Sequence, residues 1–212
     1  MIRIENLSFK YPYETVRLFS GFSAQFERGE ITALTGKNGS GKTTLTKLLV
    51  GILHPSSGSI FIDGLDISDI DLFGIGQRVG YVFQNPNRQL FCNTVFNEVA
   101  YGLRNLDPDE KLVAQKVDYY LEYFDLARYR EHYPGKLSLG EKQRLALAAV
   151  LALGTDYLVL DEPTTSLDAR CRGEFGEMLF RLRQEFSCGI VFTSHDTDFV
   201  NRYADREVVI KR

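Results

Sequence analysis

The chain has 212 residues, of which 44% are hydrophobic and 25% are charged, and its net charge is −3 with a pI of about 5.7. This composition is typical of one soluble globular domain, and it gives no sign of the basic face that a nucleic-acid partner usually requires. The longest apolar run, residues 145–153, is too short to cross a bilayer. The N-terminus lacks a signal-peptide core and the three cysteines follow no metal-ligand spacing, so we expect reduced thiols in the cytoplasm.

The first part of the chain combines short strands with one helix. Residues 2–10 and 18–26 alternate apolar and polar side chains, as half-buried strands do, and residues 59–62 predict another short strand. Residues 31–35 are apolar and β-branched, which predicts a buried strand. Apolar side chains then recur at helical spacing, at Leu45, Leu48, Leu49 and Ile52.

A glycine-rich loop, residues 36–43, joins that buried strand to that helix and fits the phosphate-loop pattern G-x-x-x-x-G-K-[ST]. Its glycines let the backbone approach an anion, while amide N–H groups and the helix N-terminus direct partial positive charge at it. Lys42 is expected to neutralise the outer phosphates of ATP, and the Thr43 hydroxyl to bind Mg²⁺. The alternative, a glycine-rich turn with a chance lysine, does not explain the strand–turn–helix context. The predicted nucleotide-binding residues are Gly36, Lys37, Asn38, Gly39, Ser40, Gly41, Lys42, Thr43 and Thr44.

The middle of the chain is predicted to be helical. A buried strand at residues 79–83 ends at Gln84, and the apolar pattern then changes to helical spacing. Three helices are predicted there from the residues that begin them. The first starts near Thr94 and the third near Ser138. The second has Asp107 as its cap and Pro108 at its first helical position.

The last part of the chain returns to buried strands. Residues 157–160 form an apolar strand followed by Asp161 and Glu162, and residues 190–193 form another that leads to His195. Strands that alternate with helices and are apolar on both faces indicate an α/β fold with a parallel sheet. Ligands bind at the carboxyl ends of the strands in such sheets. The sequence places four polar side chains there: Gln84, Asp161, Glu162 and His195.

These strand-end groups have the chemistry that ATP hydrolysis needs. Asp161 is expected to help bind Mg²⁺, and Glu162 to be the general base that takes a proton from the attacking water. His195 is expected to donate to the γ-phosphate as a neutral imidazole, and the amide oxygen of Gln84 to contact Mg²⁺ or water. Each residue alone also fits a structural role, a solvated strand end for the carboxylates or core packing for the histidine. The upstream phosphate loop favours the catalytic interpretation.

Ser138 and Glu141 form a predicted capping box at the start of the third helix of the middle part. The Ser138 hydroxyl, the N–H of Gly140 and the helix N-terminus also make a second anion site. One chain would then hold two phosphate-binding surfaces far apart in sequence, which is reasonable if they meet across a dimer. Ser138, Gly140 and Glu141 are therefore further candidate ATP-binding residues.

With these motifs in view, the chain resembles the nucleotide-binding subunits of ATP-binding cassette (ABC) transporters nearly from end to end. The resemblance rests on the phosphate loop, on the signature LSLGEKQ at residues 137–143, and on YLVLDEPT at residues 157–164. Gln84 matches the Q-loop glutamine of that family, and His195 matches the switch histidine. The family pattern implies a head-to-tail dimer with a second ABC ATPase subunit, identical or paralogous. Each ATP would lie between the phosphate loop of one subunit and the signature of the other.

The resemblance implies a single ABC ATPase domain over residues 1–212. Residues 1–90 and 155–212 approximately would form a RecA-like parallel-sheet core with an N-terminal antiparallel β subdomain. Residues 91–154 approximately would form an inserted α-helical subdomain that carries the signature.

Two site residues come from the resemblance alone. Asp168 would contact the other subunit across the dimer interface, and Tyr11 would stack on adenine, although local packing of a strand aromatic explains Tyr11 as simply. The signature departs from the common form LSGGQ, because Leu139 replaces a glycine and Glu141 replaces the glutamine. We therefore expect a working but slow site.

The segment at residues 84–102 resembles the ATPases of energy-coupling-factor, or cobalt-type, importers, which take up vitamins and transition-metal ions. It would contact an integral membrane transporter subunit, which places the chain on the cytoplasmic face of the cell membrane. The resulting hypothesis is the ATP-hydrolysing motor subunit of an importer. Two alternatives stay open: a soluble ABC ATPase in cytosolic assembly or repair, and a nucleotide-gated interaction module that binds ATP without hydrolysing it.

Overall fold

Two β-sheets and the helices around them make up residues 1–211, the part of the chain that the computed structural model describes. The strands are β1 (Ile2–Phe9), β2 (Phe19–Phe26), β3 (Ile31–Thr35), β4 (Ser57–Ile62), β5 (Leu65–Asp66), β6 (Val79–Val82), β7 (Tyr157–Leu160), β8 (Gly189–Thr193) and β9 (Arg206–Val209). The helices are α1 (Lys42–Leu49), α2 (Leu72–Gly76), α3 (Val95–Leu103), α4 (Glu110–Tyr123), α5 (Leu139–Leu151), α6 (Ala169–Phe186) and α7 (Thr197–Tyr203). Arg212, which ends the predicted core segment, lies outside the described residues.

The larger sheet has five strands in the order β6-β7-β8-β3-β9, and all neighbouring strands are parallel. Strand β7 is buried at every position. Its alternate residues belong to different cores, since Leu158 and Leu160 join one buried cluster and Tyr157 and Val159 join the other. Both faces of the sheet are therefore covered, as a parallel sheet requires. The carboxyl ends of β3, β6, β7 and β8 meet at one edge, where the candidate site lies.

The smaller sheet is antiparallel, with the strand order β2-β1-β4-β5. Its central strand β1 pairs on both sides, so that Ile4 lies opposite Ala24 and opposite Ile60. Helix α1 fills the space between this sheet and the parallel one. Its Leu45 and Leu48 are fully buried in the same cluster as Ile4 and Ile60.

Helices α3, α4 and α5 occupy the chain between β6 and β7. Their apolar faces meet in the second buried cluster, where Val99, Val117 and Leu145 are all fully buried. A parallel-sheet core, an antiparallel β subdomain and an inserted helical subdomain are therefore all present, which confirms the predicted fold class. None of the helices within residues 1–211 is long and apolar enough to span a bilayer.

The predicted start of α4 is wrong. The helix begins at Glu110, and its cap is Asp109, whose side chain accepts a hydrogen bond from the amide of Lys111 at 2.8 Å. Asp107 instead accepts from the amide of Asp109 at 3.0 Å and forms a turn before the helix. Two neighbouring aspartates have the same capping preference, and Pro108 therefore precedes the helix rather than opening it.

Two smaller differences concern α1 and α2. Helix α1 ends at Leu49, so Ile52 lies beyond it and is 48% exposed rather than part of its buried face. Helix α2 was not predicted, because Gly74 and Gly76 weaken its helical pattern. It is capped by the side chain of Asp71, which accepts from the amide of Gly74 at 2.7 Å.

Candidate active site

The predicted phosphate loop connects β3 to α1 and turns sharply at Gly36. This residue has a φ of 144°. A Cβ atom there would lie 2.6 Å from the carbonyl oxygen of Ile210 and 2.7 Å from Oγ of Ser40. These separations are too short for a side-chain carbon, so the loop needs glycine at its first position.

The N-terminus of α1 is open to an anion. The helix begins at Lys42 with Gly41 as its cap, and no side chain hydrogen-bonds to the cap position. The first amides of a helix lack backbone partners and attract negative charge. Lys42 is 6% exposed, and its Nζ donates to the carbonyl oxygen of Gly36 at 3.1 Å. Burial lowers the pKa of Lys42, and the carboxylates of Glu162 and Asp161 oppose that shift.

Asp161 directly follows β7 and is 4% exposed. Its Oδ1 accepts hydrogen bonds from the hydroxyl of Thr193 at 2.9 Å and from the hydroxyl of Thr43 at 3.1 Å. Burial raises the pKa of Asp161, and these two hydroxyl groups oppose the shift. Hydroxyl and carboxylate oxygens are ligands that Mg²⁺ accepts, usually together with waters and nucleotide phosphates. Thr43 and Asp161 therefore fit a magnesium ion.

Side chains that follow β6 and β8 converge on Glu162, which follows β7. Gln84 donates from Nε2 to Oε2 of Glu162 at 3.1 Å. Nε2 of His195 lies 3.1 Å from Oε1 of the same carboxylate. The hydroxyl of Thr165 also donates to Oε2, at 3.0 Å. Three of the predicted catalytic residues are thus in direct contact, and the carboxylate has polar neighbours at both oxygens.

The backbone of Glu162 is in the left-handed region, with a φ of 45°. This conformation is uncommon for residues other than glycine and costs on the order of 1–3 kcal/mol. The amide of Glu162 donates to the hydroxyl of Thr193 at 2.7 Å. Thr193 and Thr165 are thus site residues that the sequence reasoning missed. Threonine is common at the ends of strands and in turns, so neither residue stands out in the sequence.

A cavity of about 360 Å³ lies beside the phosphate loop. Of the predicted site residues it brings together Tyr11, Asn38, Gly39, Gly41, Lys42, Thr43, Thr44, Glu162 and His195. Glu14, Val16 and Leu18 complete the lining, and the sequence reasoning did not assign them to the site. Gln84 and Asp161 lie instead on an adjoining groove of about 760 Å³, which Thr43 also lines. Thr43 therefore connects the nucleotide cavity with the carboxylate that fits Mg²⁺.

Tyr11 lines this cavity, as do the apolar side chains of Val16 and Leu18. Its hydroxyl is 2.9 Å from Oγ1 of Thr44. Its ring also meets Phe9 edge to face, with 4.9 Å between the centroids. Tyr11 thus has both a local packing contact and a place in the wall of the cavity.

Of the signature residues, Ser138 and Gly140 do not line the nucleotide cavity of their own chain, whereas Leu139 lines the adjoining groove together with Thr43. Ser138 caps α5 in the predicted capping box. Glu141 folds back, so that its Oε2 accepts from the amide of Ser138 at 2.8 Å and from the hydroxyl at 2.7 Å. Burial alone would raise the pKa of Glu141, but hydrogen bonds from Tyr129 and Ser138 lower it to about 2. The Glu141 carboxylate is therefore ionised and lies at the N-terminal end of α5, where it accepts from the hydroxyl of Ser138.

Asp168 is the cap of α6, and its side chain accepts from the amide of Cys171 at 2.7 Å. This contact fixes the start of the helix after the loop that carries Ser166 and Leu167. The contact of Asp168 with a second subunit stays a prediction.

Comparison with known proteins gives the chain a family. A family model described as ABC transporter matches residues 19–165. A putative ABC transporter ATP-binding protein of Methanosarcina acetivorans is 41% identical over 213 residues, covering 100% of this chain and 34% of the relative. The energy-coupling factor transporter ATP-binding protein EcfA of Methanothermobacter thermautotrophicus is 41% identical over 212 residues, covering 99% of this chain and 68% of the relative. The chain spans about a third of the length of several curated relatives that it matches.

Solved structures agree with these relatives. cbiO1 from Clostridium perfringens, described as part of the ABC transporter complex cbiONQ, matches with a TM-score of 0.91 and 34% identity, covering 99% of this chain and 84% of that one. The ATP-binding cassette MJ0796, in a dimeric post-hydrolysis state with ADP and Pi, matches with a TM-score of 0.85 and 25% identity, covering 100% and 94%. From the family model, the relatives and the shared fold, we conclude that this chain belongs to the ABC transporter family as one of its ATP-binding proteins.

Proposed function

We propose that the chain hydrolyses ATP as the motor subunit of an importer of the energy-coupling-factor type. The observation that carries the proposal is the position of Glu162. Its carboxylate lines the same cavity as Lys42 and Thr43, and it is flanked by Gln84 and His195. A base, a positive group and an open helix N-terminus are the parts that phosphoryl transfer to water requires.

In the proposed reaction the amides at the start of α1 and the ammonium group of Lys42 bind the β- and γ-phosphates. Glu162 orients a water molecule and takes its proton as the water oxygen attacks the γ-phosphorus. The bond between that phosphorus and the bridging oxygen breaks, which leaves ADP and inorganic phosphate. His195 donates a hydrogen bond to a γ-phosphate oxygen, where negative charge must be stabilised.

Thr43 and Asp161 would hold the magnesium ion, because their oxygens are already within hydrogen-bond distance of each other. Gln84 is the third predicted ligand, and its amide group lies beside Glu162. When bound, the ion neutralises charge that develops on the phosphates.

The second phosphate-binding surface is proposed to act across a dimer. Ser138 and the N–H of Gly140 of one cassette would complete the site of another, since neither lines the cavity of its own chain. The dimeric state described for MJ0796 with ADP and Pi supports this arrangement. Asp168 and Tyr11 keep their proposed roles at the dimer interface and against adenine.

The membrane partner is proposed to contact the segment at residues 84–102. Phe91 and Tyr101 form an edge-to-face pair on this segment, with 4.9 Å between the ring centroids. They are 65% and 56% exposed, so together they give an apolar contact surface. Glu98 fixes the loop below them, because its carboxylate accepts from the amides of Phe91 at 3.0 Å and Cys92 at 2.7 Å. The importer class, for a vitamin or a transition-metal ion, rests on the likeness to energy-coupling-factor ATPases.

The test is to tag the chain, solubilise membranes of its own host in detergent, and identify what co-purifies. We expect an integral membrane subunit and Mg²⁺-dependent ATPase activity that the Glu162→Gln variant lacks. Replacing Phe91 and Tyr101 together by serine should release the membrane subunit and leave nucleotide binding intact. ATPase activity with no membrane subunit would favour the soluble ATPase, and ATP binding without turnover would favour the interaction module.

A further inference from the structure

Gln143 connects the signature helix to the loop that carries Glu162. It lies on α5, the helix capped by Ser138, and it is 4% exposed. Its Nε2 donates to the carbonyl oxygen of Pro163, the residue after Glu162. Its Oε1 has no hydrogen-bond partner among the side chains and backbone of residues 1–211. A buried amide with one end unsatisfied is costly, so packing alone does not explain a glutamine at this position.

The hydrogen bond from Gln143 to Pro163 lies next to a strained part of the backbone. Glu162 has a φ of 45° and precedes a proline, whose ring restricts the residue before it. A strained conformation persists when the surrounding groups hold it on several sides. Here the hydroxyl of Thr193 accepts from the amide of Glu162 at 2.7 Å, and Gln143 binds the carbonyl of Pro163 on the other side. Loss of either contact would let the Glu162 backbone relax and move its carboxylate.

We propose that Gln143 is a positioning residue that holds Glu162 in place for the attacking water and links it to the signature end of α5. This inference rests on the proposed function, in which Glu162 is the base and Ser138 contacts an ATP bound to another cassette. In that dimer the two ends of the link serve different ATP molecules. A movement of α5 caused by one ATP is therefore passed, through Gln143, to the base that acts on the other.

The test is the Gln143→Met variant, which keeps a side chain of similar length and removes the donor. We expect kcat to fall about 10- to 100-fold, because small displacements of a catalytic group have effects of that size. The Kd for a fluorescent ATP analogue should change by less than about twofold, since Gln143 does not line the nucleotide cavity and its amide donates to Pro163. The matched control is Val117→Ala, which leaves a cavity where the fully buried Val117 side chain packs on α4. It should lower the unfolding temperature and leave kcat within about twofold of the original chain.

Two further variants keep the test valid if Gln143→Met folds poorly. Gln143→Asn retains the amide but shortens its reach, and it should lose kcat in the same way. Gln143→His retains a ring N–H donor, and it should recover part of the lost rate. Unchanged kcat in both Gln143→Met and Gln143→Asn would overturn the inference, and so would an equal loss of kcat and ATP affinity.

The inference and the proposed function fail in different ways. Hydrolysis that persists in Glu162→Gln would remove Glu162 as the base, whatever Gln143 does. Hydrolysis lost in Glu162→Gln but normal in Gln143→Met would leave the proposed function standing and overturn the positioning role of Gln143 alone.

Discussion

Nε2 of His195 lies 3.1 Å from Oε1 of Glu162, on the wall of the nucleotide cavity. The other oxygen of Glu162 accepts from Gln84. A carboxylate held in this way has few orientations open to it, so a water beside it would meet the base at a fixed angle. The same contact keeps the imidazole of His195 beside the phosphate-binding groups.

The Glu162→Gln variant should retain ATP binding and lose hydrolysis. General-base catalysis typically contributes a factor of about 10² to 10⁴, so we expect a fall of that size in phosphate release. Mass measured by light scattering, with and without Mg²⁺-ATP, checks the proposed dimer at the same time. A shift from monomer to dimer with ATP supports the shared site. A monomer that binds ATP would point to a different cassette partner or to dimerisation that needs the membrane subunit.

The His195→Ala variant should lower kcat and leave ATP affinity nearly unchanged. Removing one donor that stabilises developing charge typically costs a factor of about 10² to 10³. Steady-state phosphate release and equilibrium nucleotide binding separate the two quantities. Equal losses in both would assign His195 to ground-state binding instead of to the transition state.

The Lys42→Met variant should bind ATP about 10- to 100-fold more weakly, because a charge-assisted hydrogen bond to phosphate is lost. Fluorescence titration with an ATP analogue measures the change. Lys116→Met is the matched control, since Lys116 is exposed on α4. A similar loss in both variants would mean that net charge, and not the position of Lys42, governs the affinity.

Glu141→Gln should increase the hydrolysis rate by about two- to tenfold, the equivalent of one ordinary hydrogen bond. In the native chain the Ser138 hydroxyl donates its hydrogen to the Glu141 carboxylate. That hydrogen is therefore not free to bind a phosphate. A glutamine keeps an oxygen for the helix cap but binds that hydrogen less strongly than a charged group does. Glu122→Gln on the exposed side of α4 is the control. The further change Leu139→Gly should add to the gain, and no gain in either variant would remove these departures as a cause of slow turnover.

Glu98 should make the stability of the fold decrease as pH rises above about 4.5, the ordinary pKa of a glutamate. Burial raises the pKa of Glu98, although its hydrogen bonds from Cys92 and Phe91 oppose the shift. The folded chain therefore binds a proton more tightly than the unfolded chain does, and this stabilisation is lost as pH passes through the raised value. Glu98→Gln keeps one oxygen for both amides and should flatten that part of the curve. Thermal unfolding between pH 4 and pH 8 measures the difference, and parallel curves would contradict the expectation.

The phosphate loop could be predicted because its pattern is local. The residue types at positions 36–43 are enough to predict the loop. The strand before it and the helix after it are recognisable from the spacing of their apolar residues. Gln84, Asp161 and His195 could be placed at one edge because parallel strands share their carboxyl ends. Their contacts with each other follow from the strand order β6-β7-β8, which the sequence does not state.

Thr193 and Gln143 could not be predicted, because their importance depends on tertiary contacts. Thr193 is an ordinary strand threonine until β8 lies beside β7, which brings its hydroxyl to the amide of Glu162. Gln143 is one of several polar residues in the first half of α5, and its role shows only when the helix meets the carbonyl of Pro163. The predicted cap of α4 was wrong for a different reason. Asp107 and Asp109 are chemically equivalent, and only the path of the backbone distinguishes them.

Helix α1 joins the two sheets as well as presenting its first amides to the phosphates. Leu45 and Leu48 are fully buried between β1 and the parallel sheet, while Gly36 and Lys42 lie at the edge of the loop. A change at an exposed loop residue such as Asn38, which lines the cavity, can therefore alter nucleotide affinity while the packing that sets thermal tolerance stays intact. Replacing either leucine alters both traits together, so the evolutionary paths open to this helix are narrower than those open to the loop.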